Sequence, residues 1–203
     1  MRPRTIGIAL ATLVLVASAY GDAAFQLGGH HHPPEENVLF KTDQVGPVLD
    51  GVTNRSDTLV QFSSTADTLM ATAHRQSKVE AADGLINGIT MSVRGHTFLD
   101  AIINPFRRAQ ANDMIVTVKM SDGSTLAFGP YGVTDGHNFL TVTTIKGEQI
   151  SGVTIDSASG FRDLQQPRIS GISGGMTVPE PSSMLWLGGG FLGLAYVLRR
   201  KML

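Results

Sequence analysis

Cysteine is absent from all 203 residues. Disulfides, thiolate nucleophiles, iron–sulfur centres and cysteine-ligated zinc are therefore ruled out. A domain without disulfides must rely on its own packed core, helped at most by a metal ion. Grouped basic residues are also missing from the middle of the chain. Between Phe25 and Val178 there are 15 acidic and 11 basic side chains, a formal charge of −4, with no basic stripe. That argues against a nucleic-acid partner, because phosphate contacts need clustered Lys and Arg. Aromatics are few: one Trp and three Tyr in the whole chain. Sugar-stacking platforms need exposed Trp or Tyr, and the middle offers only Tyr131, in the run Gly129-Pro130-Tyr131-Gly132. Phe106, Phe128, Phe139 and Phe161 read instead as core residues.

What the middle does contain is short apolar runs broken by turn residues every eight to twelve positions, with no helical period. That pattern predicts an all-β fold, a two-sheet β-sandwich of jelly-roll-like type, over residues 37–173. The clearest strand is 113–120, where Met114, Val116, Val118 and Met120 share one face and Thr117 and Lys119 the other. Ser121-Asp122-Gly123-Ser124 follows as a hairpin turn, with Asp-Gly supplying the positive φ it needs. Ile89, Met91 and Val93 repeat the alternation, and 139–145 is rich in β-branched residues. Further strands are expected at 38–41, 58–62, 68–72, 78–82, 149–156 and 168–172, about ten in all. Residues 20–36, with Gly28-Gly29, three histidines and two adjacent prolines, read as a flexible lead-in. Residues 174–183 read as a linker.

The two ends carry apolar segments of a different kind. Arg2 and Arg4 precede an apolar stretch from Ile6 to Ala19, and Ala17-Ser18-Ala19 places small residues where a signal peptidase cuts. Residues 1–19 are thus predicted to be a secretory signal. At the other end 184–198 is a 15-residue apolar run, about 22 Å long as a helix against a hydrocarbon layer of about 30 Å. Arg199, Arg200 and Lys201 follow at once, in the tail 199–203, and hold such a helix as a stop-transfer segment with its basic end in the cytoplasm.

Pro179-Glu180-Pro181, a short spacer, a glycine-interrupted apolar run and a terminal Arg/Lys cluster together resemble the PEP-CTERM sorting signal. The same tail also goes under the label of an ice-binding protein C-terminal domain, although it carries no ice-facing surface. The resemblance covers about 26 residues. It implies a Gram-negative bacterium that makes extracellular polysaccharide. It also implies an exosortase that recognises Pro179, Glu180 and Pro181, removes the helix and passes the protein outward. On this reading the chain is anchored transiently in the inner membrane, facing the periplasm, and ends at the cell surface or outside.

Candidate sites in the middle are thin. His30, His31 and His32 sit in the lead-in with nothing to fix their geometry for a metal. His74, His96 and His137 are spread over three segments. Ser157 and Ser159 have no base placed beside them by the sequence. Asp83, Asp100, Asp156 and Asp163 could form a carboxylate pair for glycoside chemistry or ligands for one structural Ca²⁺, or serve turns. No catalytic residue and no cofactor are assigned, and the metal question is open. The expected role is a non-enzymatic surface or matrix protein associated with extracellular polysaccharide. The alternatives are a polysaccharide-acting enzyme and a self-assembling adhesion or coat subunit.

Overall fold

The computed structural model describes residues 22–29, 34–73, 77–106, 111–133 and 138–174. The expected secretory signal, the sorting motif, the apolar segment 184–198 and the basic tail lie outside these residues. No helix among the described residues is long and apolar enough to cross a membrane.

Every described element is a strand. The first eight are β1 (Ala23–Leu27), β2 (Glu35–Leu39), β3 (Gln44–Gly46), β4 (Val48–Thr53), β5 (Leu59–Ser63), β6 (Leu69–Ala71), β7 (Lys78–Ala81) and β8 (Ile86–Val93). The others are β9 (His96–Thr97), β10 (Asp100–Phe106), β11 (Ala111–Met120), β12 (Thr125–Val133), β13 (Leu140–Thr144), β14 (Ile150–Phe161), β15 (Asp163–Ser170) and β16 (Ser173–Gly174). Fourteen form one antiparallel ribbon in the order β1-β13-β10-β15-β2-β4-β5-β8-β14-β11-β12, with β3, β6 and β7 branching from β15. β9 and β16 make a separate two-stranded ladder.

The ribbon turns over at β2. Its first half, Glu35 to Asn37, pairs with β15, and its last two residues, Val38 and Leu39, pair with β4. The two halves of the ribbon then share one core. Val60, Phe62, Met91, Val116, Val153 and Ile155 from one half join Val79, Ile103, Leu140, Val142, Leu164 and Ile169 from the other in a single buried cluster.

The local reasons are those the sequence announces. Met114, Val116, Val118 and Met120 are all buried, as are Ile89, Met91 and Val93. The turn after Met120 closes as expected: Gly123 has φ 89°, Ser124 accepts from the Met120 N–H through its carbonyl at 2.9 Å, and the Asp122 carboxylate accepts from the Ser124 N–H at 2.8 Å. Three differences are instructive. β1 lies in the stretch 20–36 expected to be unstructured, and it forms because Phe25 packs against the core side chains and β13 offers an open edge. β10 is buried on both faces, so it lacks the alternation that marks a half-exposed strand. Of the four phenylalanines expected in the core, only Phe161 is fully buried; Phe106, Phe128 and Phe139 are half-buried, and Phe106 carries the Arg162 guanidinium 4.8 Å above its ring.

Candidate functional site

The outward face of β4-β5-β8-β14-β11-β12 follows directly from the alternation that builds the core. Each inward apolar residue puts its neighbours outward, and strand register aligns those neighbours in rows. One row runs Val48, Ser63, Thr90, Thr154, Thr117, Ala127, each the direct partner of the next. The adjacent row runs Asp50, Gln61, Ser92, Gly152, Lys119, Thr125. At about 4.8 Å per strand the rows extend roughly 24 Å.

Chemically the first row is uncharged. Its four hydroxyls lie side by side, half-buried at their bases, and Thr90 Oγ1 and Thr154 Oγ1 are 2.8 Å apart. Each Thr offers a rotatable O–H, two lone pairs and a methyl. The second row is fixed at its Asp50 end: the Gln44 side chain makes two 2.7 Å hydrogen bonds with the Asp50 backbone, and Arg94 Nη2 lies 3.2 Å from Asp50 Oδ1. A third row, Gly88, Asp156 and Ile115, borders the hydroxyls. Burial raises the Asp156 carboxyl above its ordinary value. A Cβ on Gly88 would come 2.9 Å from Asp156 Oδ1, so the glycine leaves room for that carboxylate.

The residues singled out from sequence are dispersed. His30, His31, His32, His74 and His137 lie outside the described residues, and His96 has its Nδ1 2.8 Å from the Arg94 carbonyl. Among the described residues no group of three or more metal-ligating side chains comes together. Asp100 and Asp163 stand at opposite ends of the β10–β15 ladder, Asp100 opposite Ser170 and Asp163 opposite Phe106. Asp156 belongs to the other half of the ribbon, and Asp83 accepts the Leu85 N–H in a turn. Ser157 and Ser159 both donate to Asp113, at 2.9 Å and 2.5 Å, which fastens the end of β14 to β11. Tyr131, the one Tyr or Trp the middle offered for sugar stacking, is half-buried and stacked on Phe25 with centroids 4.4 Å apart. A cleft of about 400 Å³ beside β2 and β4 is walled by Leu39, Phe40 and Val52 and carries the exposed Lys41–Asp57 ion pair. The hydroxyl row itself escaped the sequence reading. Its only local signal is a Thr or Ser opposite each apolar position.

Comparison with known proteins gives one match in the tail and a looser one in the fold. Residues 177–201 match the model of the PEP-CTERM protein-sorting motif. No curated protein matches the chain. Among solved structures, an alanine mutant of CBM29-2, a family 29 carbohydrate binding module, is 12% identical with a TM-score of 0.33, covering 64% of this chain and 89% of that one. A second alanine mutant of the same module is 7% identical, with a TM-score of 0.27 and coverage of 74% and 91%. CBM29_1 from Piromyces equi is 8% identical, with a TM-score of 0.26 and coverage of 72% and 89%. Likeness of that size transfers no binding face. The tail match is specific: this chain carries a PEP-CTERM sorting motif, which marks it as an exosortase substrate and directs it to export.

Proposed function

We propose that this chain is a non-enzymatic surface or matrix protein that binds neutral extracellular polysaccharide along its outward hydroxyl row. The observation that carries the reading is the four-strand alignment of Ser63, Thr90, Thr154 and Thr117 on a chain tagged for export. An uncharged glycan presents hydroxyls and C–H patches, and the row presents both complements without a charge to desolvate. Sheet twist favours a single polymer chain over a planar lattice. At about 20–25° per strand, five steps turn the row through more than about 100°, so a rigid plane touches only a few strands while a flexible chain follows them all. Exposed hydrogen bonds in water contribute about 0.5–1.5 kcal/mol each, so one domain binds weakly, and many copies on one polymer supply the rest.

The wider setting belongs to the same proposal. Signal peptidase removes residues 1–19, and the apolar run 184–198 holds the chain in the inner membrane with Arg199, Arg200 and Lys201 inside. Exosortase then acts at Pro179-Glu180-Pro181 and releases a two-sheet, jelly-roll-like passenger to the surface of a Gram-negative cell. The two ribbon halves meeting over one core support that architecture.

The test is affinity electrophoresis of the exported protein through gels containing neutral or polyanionic polysaccharides. Retardation by a neutral polymer is expected, and Thr154→Arg in the centre of the row should abolish it while leaving the melting temperature within about 2 °C, since the side chain is only half-buried. Migration unaffected by every neutral polymer, or retardation that survives Thr154→Arg, rejects the proposal.

A further inference from the structure

The outward face of the ribbon carries an aliphatic row beyond Asp50. Val48, Asp50 and Val52 alternate outward along β4 while Leu49 and Gly51 point in. Val52 pairs with Leu39 on one side and with Leu59 on the other. This row lies about 14 Å along β4 from Val48, the end of the hydroxyl row. It stops at Leu39, because the rest of β2 pairs with the other half of the ribbon.

The cleft of about 400 Å³ opens at that end. Small-ligand sites run from about 300 to 1,000 Å³, so there is room for one small molecule. Leu39, 39% exposed, and Val52 form an aliphatic floor, and the hairpin joining β4 to β5 forms a wall. That hairpin is braced. Thr53 Oγ1 accepts the Thr58 N–H at 2.9 Å, and Glu36 Oε2 accepts the Ser56 N–H and hydroxyl at 2.8 and 2.9 Å. The Asn54 N–H donates to the Asn37 carbonyl at 2.9 Å, and the Asn37 N–H returns a 3.0 Å bond to Asn54 Oδ1.

The groups at the mouth stand in solvent. Lys41 Nζ and Asp57 Oδ1 are 3.0 Å apart with both side chains largely exposed, a pair that contributes little to stability. Asp57 takes a left-handed backbone there, φ 52°, which Asp and Asn tolerate better than other side chains. Asn54 spends its Oδ1 on Asn37 and leaves its Nδ2 with no partner among the described residues. The mouth thus presents an acceptor and a donor one hydrogen-bond length apart, an amide donor in the same cleft and an apolar floor. Neighbouring hydroxyls of a sugar ring have that spacing, and each can donate and accept. One donates to Asp57 while the next accepts from Lys41, with a C–H face of the ring over Leu39 and Val52. The ion pair stays intact, since the carboxylate has further lone pairs and the ammonium further protons.

We propose that this cleft binds the terminal unit of a neutral saccharide through a vicinal diol, separately from the hydroxyl row. The ligand class is that of the proposed glycan role, on which this assignment rests. A chain end is the occupant because the face stops at Leu39 and the hairpin walls the cleft.

The probes are glucose, galactose and mannose, each coupled to a resin through the anomeric carbon so that the ring diols stay free, as at a chain end. The exported protein is passed over each resin in frontal chromatography. Matched resins are treated with periodate and then borohydride, which cleaves the diol carbon–carbon bond to two aldehydes and reduces both to alcohols. Retention on at least one intact resin is expected, at least fivefold above its cleaved counterpart. Asp57→Asn keeps the backbone conformation, and Leu39→Lys changes a partly exposed floor position; each should lower retention at least fivefold. The Asp57→Asn melting temperature should stay within about 3 °C of the native chain's, since only an exposed pair is lost. No retention on any intact resin, equal retention after cleavage, or retention that survives Asp57→Asn overturns the proposal. Retention on a resin with no gel retardation by any neutral polymer rejects the row and keeps the cleft, and the reverse pattern rejects the cleft alone.

Discussion

Asp163 is the buried charge on which the junction of β7 and β15 depends, and replacing it gives a quantity that can be worked out in advance. Its side chain is fully enclosed, yet Arg162 Nε lies 2.9 Å from Oδ2, Gln165 Nε2 donates to Oδ1 at 2.7 Å and Lys78 Nζ sits 3.4 Å from Oδ2. Register sets Glu80 directly opposite Asp163, and Lys78 also reaches Glu80 at 2.5 Å. The amine therefore separates two facing carboxylates that would otherwise repel. Asp163→Ala removes the shared acceptor. Breaking a fully buried pair costs about 3–5 kcal/mol. Lys78 and Arg162 are 35% and 32% exposed, however, so both cations can recover water and the cost falls to about 2–3 kcal/mol. For a domain of this size that lowers Tm by about 4–12 °C. Lys78→Ala, at the wetter end of the same network, should cost under about 1 kcal/mol. Urea unfolding of both variants and the double variant measures the difference and the coupling. A loss below about 1 kcal/mol for Asp163→Ala, or equal losses for the two single variants, refutes the account.

Two further outcomes follow from close contacts. Gly51→Ala would place a Cβ 2.6 Å from Val38 Cγ1 at the corner where the ribbon turns over, and overpacking there should cost about 1–3 kcal/mol in urea unfolding. Tolerance of alanine with no loss means the corner is looser than it looks. The Glu36 carboxyl is acted on by burial, which raises it, but hydrogen bonds from the Ser56 N–H and Oγ, from Thr53 and from the Arg55 N–H outweigh that and lower it. A lowered folded-state value stabilises the protein above the unfolded carboxyl range and loses that benefit as pH falls through the folded value. The Tm gap between the native chain and Glu36→Gln should accordingly narrow from pH 7 towards pH 3, and a constant gap contradicts the assignment.

How much of this was legible depended on whether a feature is local. The strand at 113–120 and its Asp122-Gly123 turn could be read from consecutive residues, because alternation and turn chemistry are both short-range. The sorting motif is linear in the same way. β10 was not legible: burial on both faces erases alternation, and Pro105 inside it argues against a strand. β4 was obscured by Asp50 and Gly51, the second of which is required because Val38 occupies the space a side chain would take. The hydroxyl row is a property of strand order. Residues 63, 90, 117 and 154 become neighbours only once three separate ladders are in place, and nothing adjacent in the chain records that.

The last ladder has a mechanical consequence. β16 closes on β9 at Gly174, and Pro179 follows only five Cα–Cα steps later, a reach of at most about 18 Å. An enzyme that reads the motif therefore works almost against the wall of the folded passenger, with no long stalk to swing on. On the proposed processing route the end carrying His96 and Thr97 lies nearest the enzyme, and a bulky addition there should slow processing even though every residue of the motif is intact.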